Sequence, residues 1–199
     1  MKQTKQYEYV DLGLPSGLKW AKCNVGAETE TDFGDYFMWG SVTPNTADEC
    51  IWKNAPFNNG SISCDEKYFN AHKSEWLDNN GNLKPEFDAA TQIMGGNWRM
   101  PTKDELKELL DNTIKEWAQV NGVNGYKFIG SNGNSIFIPA AGDCYDDLVL
   151  DTGSSGNIWS SSLNIALPYY ALYFGFLSDC CTINDYVRCD GQSVRGVCK

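Results

Sequence analysis

Pro101-Thr102-Lys103-Asp104-Glu105-Leu106-Lys107-Glu108-Leu109-Leu110-Asp111-Asn112-Thr113-Ile114-Lys115-Glu116-Trp117 decides the class of the fold. Thr102 with Glu105 three residues later forms a capping box, in which each side chain accepts the other residue's backbone N–H. Leu106, Leu109, Leu110, Ile114 and Trp117 recur at helical spacing, so one face of this helix is apolar and packs on a sheet. Upstream, Pro85 suits a first helical turn, Ala89, Ala90, Ile93 and Met94 share a face, and Gly95-Gly96 supplies the stop of a second helix. Downstream the period changes to two. Tyr126-Lys127-Phe128-Ile129 and Ser135-Ile136-Phe137-Ile138-Pro139 flank a Gly- and Asn-rich turn and read as a hairpin, with further strands over 158–162 and 171–178.

Toward the N-terminus, Tyr9-Val10-Asp11-Leu12 and Leu18-Lys19-Trp20-Ala21-Lys22-Cys23 flank the turn Gly13-Leu14-Pro15-Ser16-Gly17, a second hairpin. The stretch 32–40 is short and aromatic, and 41–82, rich in Asn, Gly, Ser and Pro, reads as a long folded loop. Helices in the middle and strands at both ends describe an α+β domain with two helices, paired terminal strands and long irregular loops. At 199 residues one domain is the default, over 9–199 behind a short tail, 1–8.

The net charge of −10 and the absence of clustered Lys and Arg exclude nucleic acid as a partner. No run of eighteen apolar residues occurs and the opening residues lack an apolar leader core, so neither membrane insertion nor an export signal is expected. Eight cysteines admit four disulfides without fixing their connectivity; buried or surface thiols are the other reading. Without CxxC or a His-rich spacing, zinc is not expected. His72 alone, in the loop-rich stretch, leaves a Ser-His-Asp triad no other base. Asp143, Asp146, Asp147 and Asp151 form an acidic loop spaced to hold a structural calcium, with a solvated loop as the alternative; no other cofactor is implied.

Several segments resemble the Fibrobacter-type major paralogous domain family, which is similar to the formylglycine-generating-enzyme branch of the C-type-lectin fold. They are 10–21 with Asn24-Val25-Gly26-Ala27, Gly34-Asp35-Tyr36-Phe37-Met38-Trp39-Gly40, Asp88-Ala89-Ala90, 96–102 with its helix, Ile138-Pro139-Ala140-Ala141-Gly142, Trp159-Ser160-Ser161-Ser162 and Ser193-Val194-Arg195. The resemblance implies a C-type-lectin-like domain, a frame that hosts enzymes, lectins and display scaffolds alike. The tail further resembles variable proteins of diversity-generating retroelements, in which an error-prone reverse transcriptase rewrites adenines in a C-terminal repeat. That implies a non-catalytic recognition protein, displayed on a virion or cell surface, with a protein or carbohydrate ligand on a cell surface.

The residue alphabet offers a separate check. Asn codons of the AAY type, randomised at their adenines, never yield Lys, Glu, Gln, Met or Trp. These types make up 39 of the 199 residues, yet none occurs in the 32 positions between Trp159 and Gln192, where about six would follow from the average. Strands are naturally poor in Lys and Glu, which weakens the contrast without removing it. The variable segment is therefore expected over 163–190. Strand alternation puts Phe174 and Phe176 inward and Tyr173, Gly175 and Leu177 outward. The expected ligand-binding residues are Ile165, Leu167, Tyr169, Tyr170, Tyr173, Gly175, Leu177, Asp179, Cys180, Asp185, Tyr186, Cys189 and Asp190, with the tyrosines as rigid anchors.

Two alternatives stand beside it. A fixed adhesion or lectin-like domain of the same family would have the same face without diversification, although Glu-Pro-Asn, Gln-Pro-Asp and Trp-Asn-Asp sugar motifs are absent. An oxidase of the formylglycine-generating type is suggested by Tyr186-Val187-Arg188-Cys189, but the partner cysteine that family places a few residues upstream is missing.

Overall fold

The structure, a computed structural model, describes residues 6–199; the expected tail, 1–8, lies mostly outside the described residues. The chain forms β1 (Tyr9–Asp11), β2 (Lys19–Ala21), β3 (Tyr36–Phe37), α1 (Glu66–Trp76), α2 (Ala89–Met94) and α3 (Lys103–Asn112). There follow β4 (Ile114–Val120), β5 (Val123–Ile129), β6 (Ser135–Pro139), β7 (Asp143–Tyr145), β8 (Leu148–Leu150), β9 (Ser155–Leu163), β10 (Tyr170–Leu177), β11 (Cys180–Val187), β12 (Gln192–Ser193) and β13 (Val197–Cys198). This is a mixed α+β fold built mostly of sheets.

Three helices replace the expected two. α1 lies inside 41–82, the stretch read as loop. Asp65 caps it by accepting from Tyr68 N, and Phe69 and Trp76 bury its inner face. His72, expected in solvent, packs against Tyr68 at 4.4 Å and Trp76 at 6.1 Å between ring centres. α2 stops at Gly95, whose positive φ no side chain tolerates cheaply. The capping box of α3 forms as expected, but the helix is shorter than its apolar spacing suggests: Thr113 is already extended, and Ile114 and Trp117 belong to β4. There the chain gains seven ladder pairs with β5, and Trp117 packs edge-on to Tyr126 and Phe176. Tertiary pairing overrides helical periodicity here.

Both expected hairpins form, β1 with β2 and β5 with β6. β2 also pairs with β13, so the terminal strands join in one sheet, β1-β2-β13. β4-β5-β6 form a second sheet, β7-β8 a small third, and β11-β10-β9-β12-β3 the largest. In that largest sheet β12 runs parallel to β9, with Ser193 aligned to Ile158, and β11 is an outer edge. One cluster of core side chains (Leu106, Leu109, Phe128, Ile138, Ile158, Phe174, Phe176) fills the space between α3, β5-β6 and this sheet. A second (Phe37, Trp39, Phe69, Trp76, Trp159, Leu163, Ala171) covers its other face below α1.

Candidate functional site

β10 and β11 are antiparallel neighbours in unbroken register from Tyr170↔Val187 to Leu177↔Cys180, so their side chains sort cleanly by face. Phe174 and Phe176 are buried in the first core cluster, as alternation requires, with Ile183 and Cys181 opposite them. Gly156 of β9 lies beneath the Phe176 ring, where a Cβ would sit 2.0 Å from the ring. The opposite face carries Tyr173, Leu177, Cys180, Thr182, Asn184 and Tyr186 in register, with Trp159 of β9 opposite Tyr173. Tyr173 meets Tyr186 at 5.4 Å and Trp159 at 6.2 Å between ring centres.

The thirteen expected residues divide into three groups. Ile165, Leu167, Leu177, Asp179 and Cys180 are exposed, Ile165 at 72% and Leu177 at 49%. Tyr169, Tyr170, Tyr173, Asp185 and Tyr186 are half-buried. Gly175, Cys189 and Asp190 are buried, against the expectation that they present side chains outward. Gly175 supports the Tyr173 ring, which lies 2.6 Å from where its Cβ would be. The strand has ended before Cys189 and Asp190, which turn inward toward β7. Nor do all the tyrosines meet. Register puts Tyr170, Leu172 and Asp185 on the Phe174 side, where the Asn164 amide donates to the Asp185 carboxylate. The Tyr169 and Tyr170 rings meet at 4.4 Å, tilted by 55°, a second patch beside the exposed turn 164–168.

Arg188 fastens that turn. Its guanidinium, fully buried, donates to Pro168 O at 2.6 Å and Pro56 O at 3.2 Å, and lies 4.4 Å from the Phe69 ring of α1. Burial without a carboxylate brings its pKa down to about 10. Arg195 is anchored likewise, on Asn24 Oδ1, Ala21 O and Phe137 O, its pKa also down to about 10 by burial.

Below Tyr173 and Tyr186 lies a polar layer that periodicity did not reveal. The Asn157 amide donates to Asp143 Oδ1 at 3.2 Å, and Gln192 falls on the same face because its neighbour Ser193 aligns with Ile158. Burial pushes the Asp143 carboxyl up to about 6 and that of Asp190 to about 7; burial, then both aspartates, raise the Tyr186 hydroxyl to about 12. Thr182 and Asn184 were legible by counting back in twos from Tyr186, whereas Asn157 and Gln192 needed the sheet order.

The acidic loop does not converge. Asp146 and Asp147 are the two left-handed residues of the β7-β8 hairpin turn and are exposed, while Asp143 is buried. Among the described residues no group of three or more His, Cys, Asp or Glu is arranged to hold a metal ion. The cysteines are free thiols, and burial pushes Cys189 up, with Cys50 at about 12 and Cys144 at about 11, the opposite of an activated thiolate. No described helix is long and apolar enough to cross a membrane. Comparisons with protein-family models, with curated proteins and with solved structures returned no match.

Proposed function

We propose that the chain is a non-catalytic recognition protein on a C-type-lectin-like frame, with a ligand-binding face made by the turn 164–170 and the outward residues of β10 and β11 that a retroelement diversifies. One observation carries this: the stretch devoid of Lys, Glu, Gln, Met and Trp, 160–191, contains the edge strand β11, its neighbour β10 and the turn leading into them. The paired N- and C-terminal strands support the lectin-type frame. Half-buried tyrosines on a rigid sheet supply large contact area at small entropic cost, while Ser, Thr and Asn around them adapt. The ligand is a protein or carbohydrate on a cell surface, met by a protein displayed on a virion or cell.

The test is to sequence this locus in related isolates together with its genomic neighbourhood. The proposal expects substitutions concentrated in the codons for 163–187, a near-copy of that DNA, and a reverse-transcriptase gene close by. Substitutions spread evenly along the gene, with neither element present, reduce the protein to a fixed adhesion domain.

A further inference from the structure

Two carboxyls lie beneath the Tyr173 and Tyr186 pair with no basic group against them. Asp143 is 5% exposed and Asp190 6%, and the ion pairs among the described residues join Lys22 to Glu8, Arg99 to Glu105 and Lys107 to Asp111. Arg188, two residues from Asp190, directs its guanidinium to Pro168 O and Pro56 O instead. Asn157 occupies one Asp143 oxygen, and the other has no protein partner. Gln192 is fully buried, and neither its amide nitrogen nor its amide oxygen finds a hydrogen bond among the described residues. Register places this glutamine on the face shared by Asn157, Trp159 and Tyr173.

An unpaired buried amide is costly, and folds rarely keep one that an apolar side chain of similar shape would replace at no loss. Here the unpaired amide and the Asn157 that holds Asp143 share the face of the sheet that carries Tyr173 and Tyr186, and the Cys144↔Gly191 bridge brings Asp190 beside Asp143. Resting on the binding-face reading, we propose that Asp143, Asp190, Asn157 and Gln192 form the floor, and the Tyr173 and Tyr186 side chains the movable walls, of a slot that opens to take a cationic side chain of a protein ligand, a lysyl ammonium or an arginyl guanidinium. A cation neutralises the carboxylates, donates to the Gln192 oxygen, and is attracted by the ring faces. The chain's charge of −10 draws basic partners to the face. The elevated carboxyl pKa values agree with the geometry: Asp151, Cys144, Cys189 and the two tyrosine hydroxyls surround the aspartates and none of them is a cation. Asp143, Asn157 and Gln192 lie outside the expected variable segment, so the deepest part of the slot would stay fixed while its walls change.

The experiment titrates the full chain, its tyrosine rings labelled for NMR, with N-acetyl-arginine amide and with its neutral isostere, N-acetyl-citrulline amide. The slot predicts saturable shifts at Tyr173 and Tyr186 with the arginine compound, about tenfold weaker binding of the citrulline compound, and a similar loss in Asp143→Asn/Asp190→Asn. That double variant, and Gln192→Met, should melt no lower than the parent because each removes a buried polar burden, so lost binding is not lost folding. Equal binding of the two compounds, no saturable shift, or unchanged arginine binding in the double variant overturns the slot. If those fail while libraries of the outward residues still yield binders, the slot alone is wrong; failure of both removes the binding face as well.

Discussion

Residues 163–187 and 188–198 adjoin in sequence and differ completely in environment. Every residue of 188–198 is buried, whereas in 163–187 the buried positions are Leu163, Pro168, Ala171, Phe174, Gly175 and Phe176. The first segment is an edge of a sheet, two strands laid over a core by alternate side chains. The second threads back through the middle of the molecule, pairing with β9, β3 and β2 and fixed by two buried arginines. Under the proposed function, this division lets the side chains of 163–187 change while 188–198 closes the fold. Arg188 is the hinge of that arrangement, because it belongs to the buried segment and yet grips Pro168 in the exposed turn.

The largest expected effect breaks the buried side of the contrast. Arg195→Ala leaves Ala21 O and Phe137 O without donors and opens a cavity, and should cost about 4 kcal/mol in urea unfolding; Arg188→Ala should cost about as much. Next, neighbouring residues on opposite faces of β10 should differ: Phe174→Ala costs about 3 kcal/mol and Tyr173→Ala about 1 kcal/mol, measured the same way.

These contrasts show what the sequence made legible and what it did not. The alternation in β10, the capping box of α3 and both hairpins follow from local patterns whose physics is short-ranged, whereas the pairing of the chain ends, β2 with β13, is a long-range contact that only the α+β reading anticipated. α1 was missed although Tyr68, Phe69, His72 and Trp76 have helical spacing, because the surrounding Asn, Gly and Ser obscured it. Ile114 and Trp117 were misplaced because a helical spacing ran on into residues that a neighbouring strand captured. In the site, the exposed turn and the inner Phe pair were legible. The burial of Cys189 and Asp190, and the separation of Asp185 from Tyr173, depend on where β11 ends and which register it takes, and the local sequence carries neither.

A third prediction concerns the polar layer joining the two segments. A carboxyl whose pKa is raised by folding prefers its neutral form in the native state, so its stabilising contribution is complete below the unfolded value near pH 4 and lost as pH rises through about 6 for Asp143 and about 7 for Asp190. Between pH 5 and pH 8 stability should fall by about 4 kcal/mol, a slope that Asp143→Asn/Asp190→Asn flattens in thermal melts at the two pH values. The smallest effects belong to the outermost positions. Substitution of Leu177, Thr182 or Asn184 by Ser should shift stability by no more than about 0.5 kcal/mol.

The most direct measurement compares two libraries of equal diversity, both selected for resistance to protease in the folded state. One randomises Ile165, Leu167, Tyr169, Tyr173, Leu177, Cys180, Thr182, Asn184 and Tyr186; the other randomises an equal number of positions within 188–198. The account predicts that most members of the first survive with parental melting behaviour and that very few of the second do. Comparable losses in both libraries would contradict it, because the outward residues would then be holding the fold together as much as the frame does.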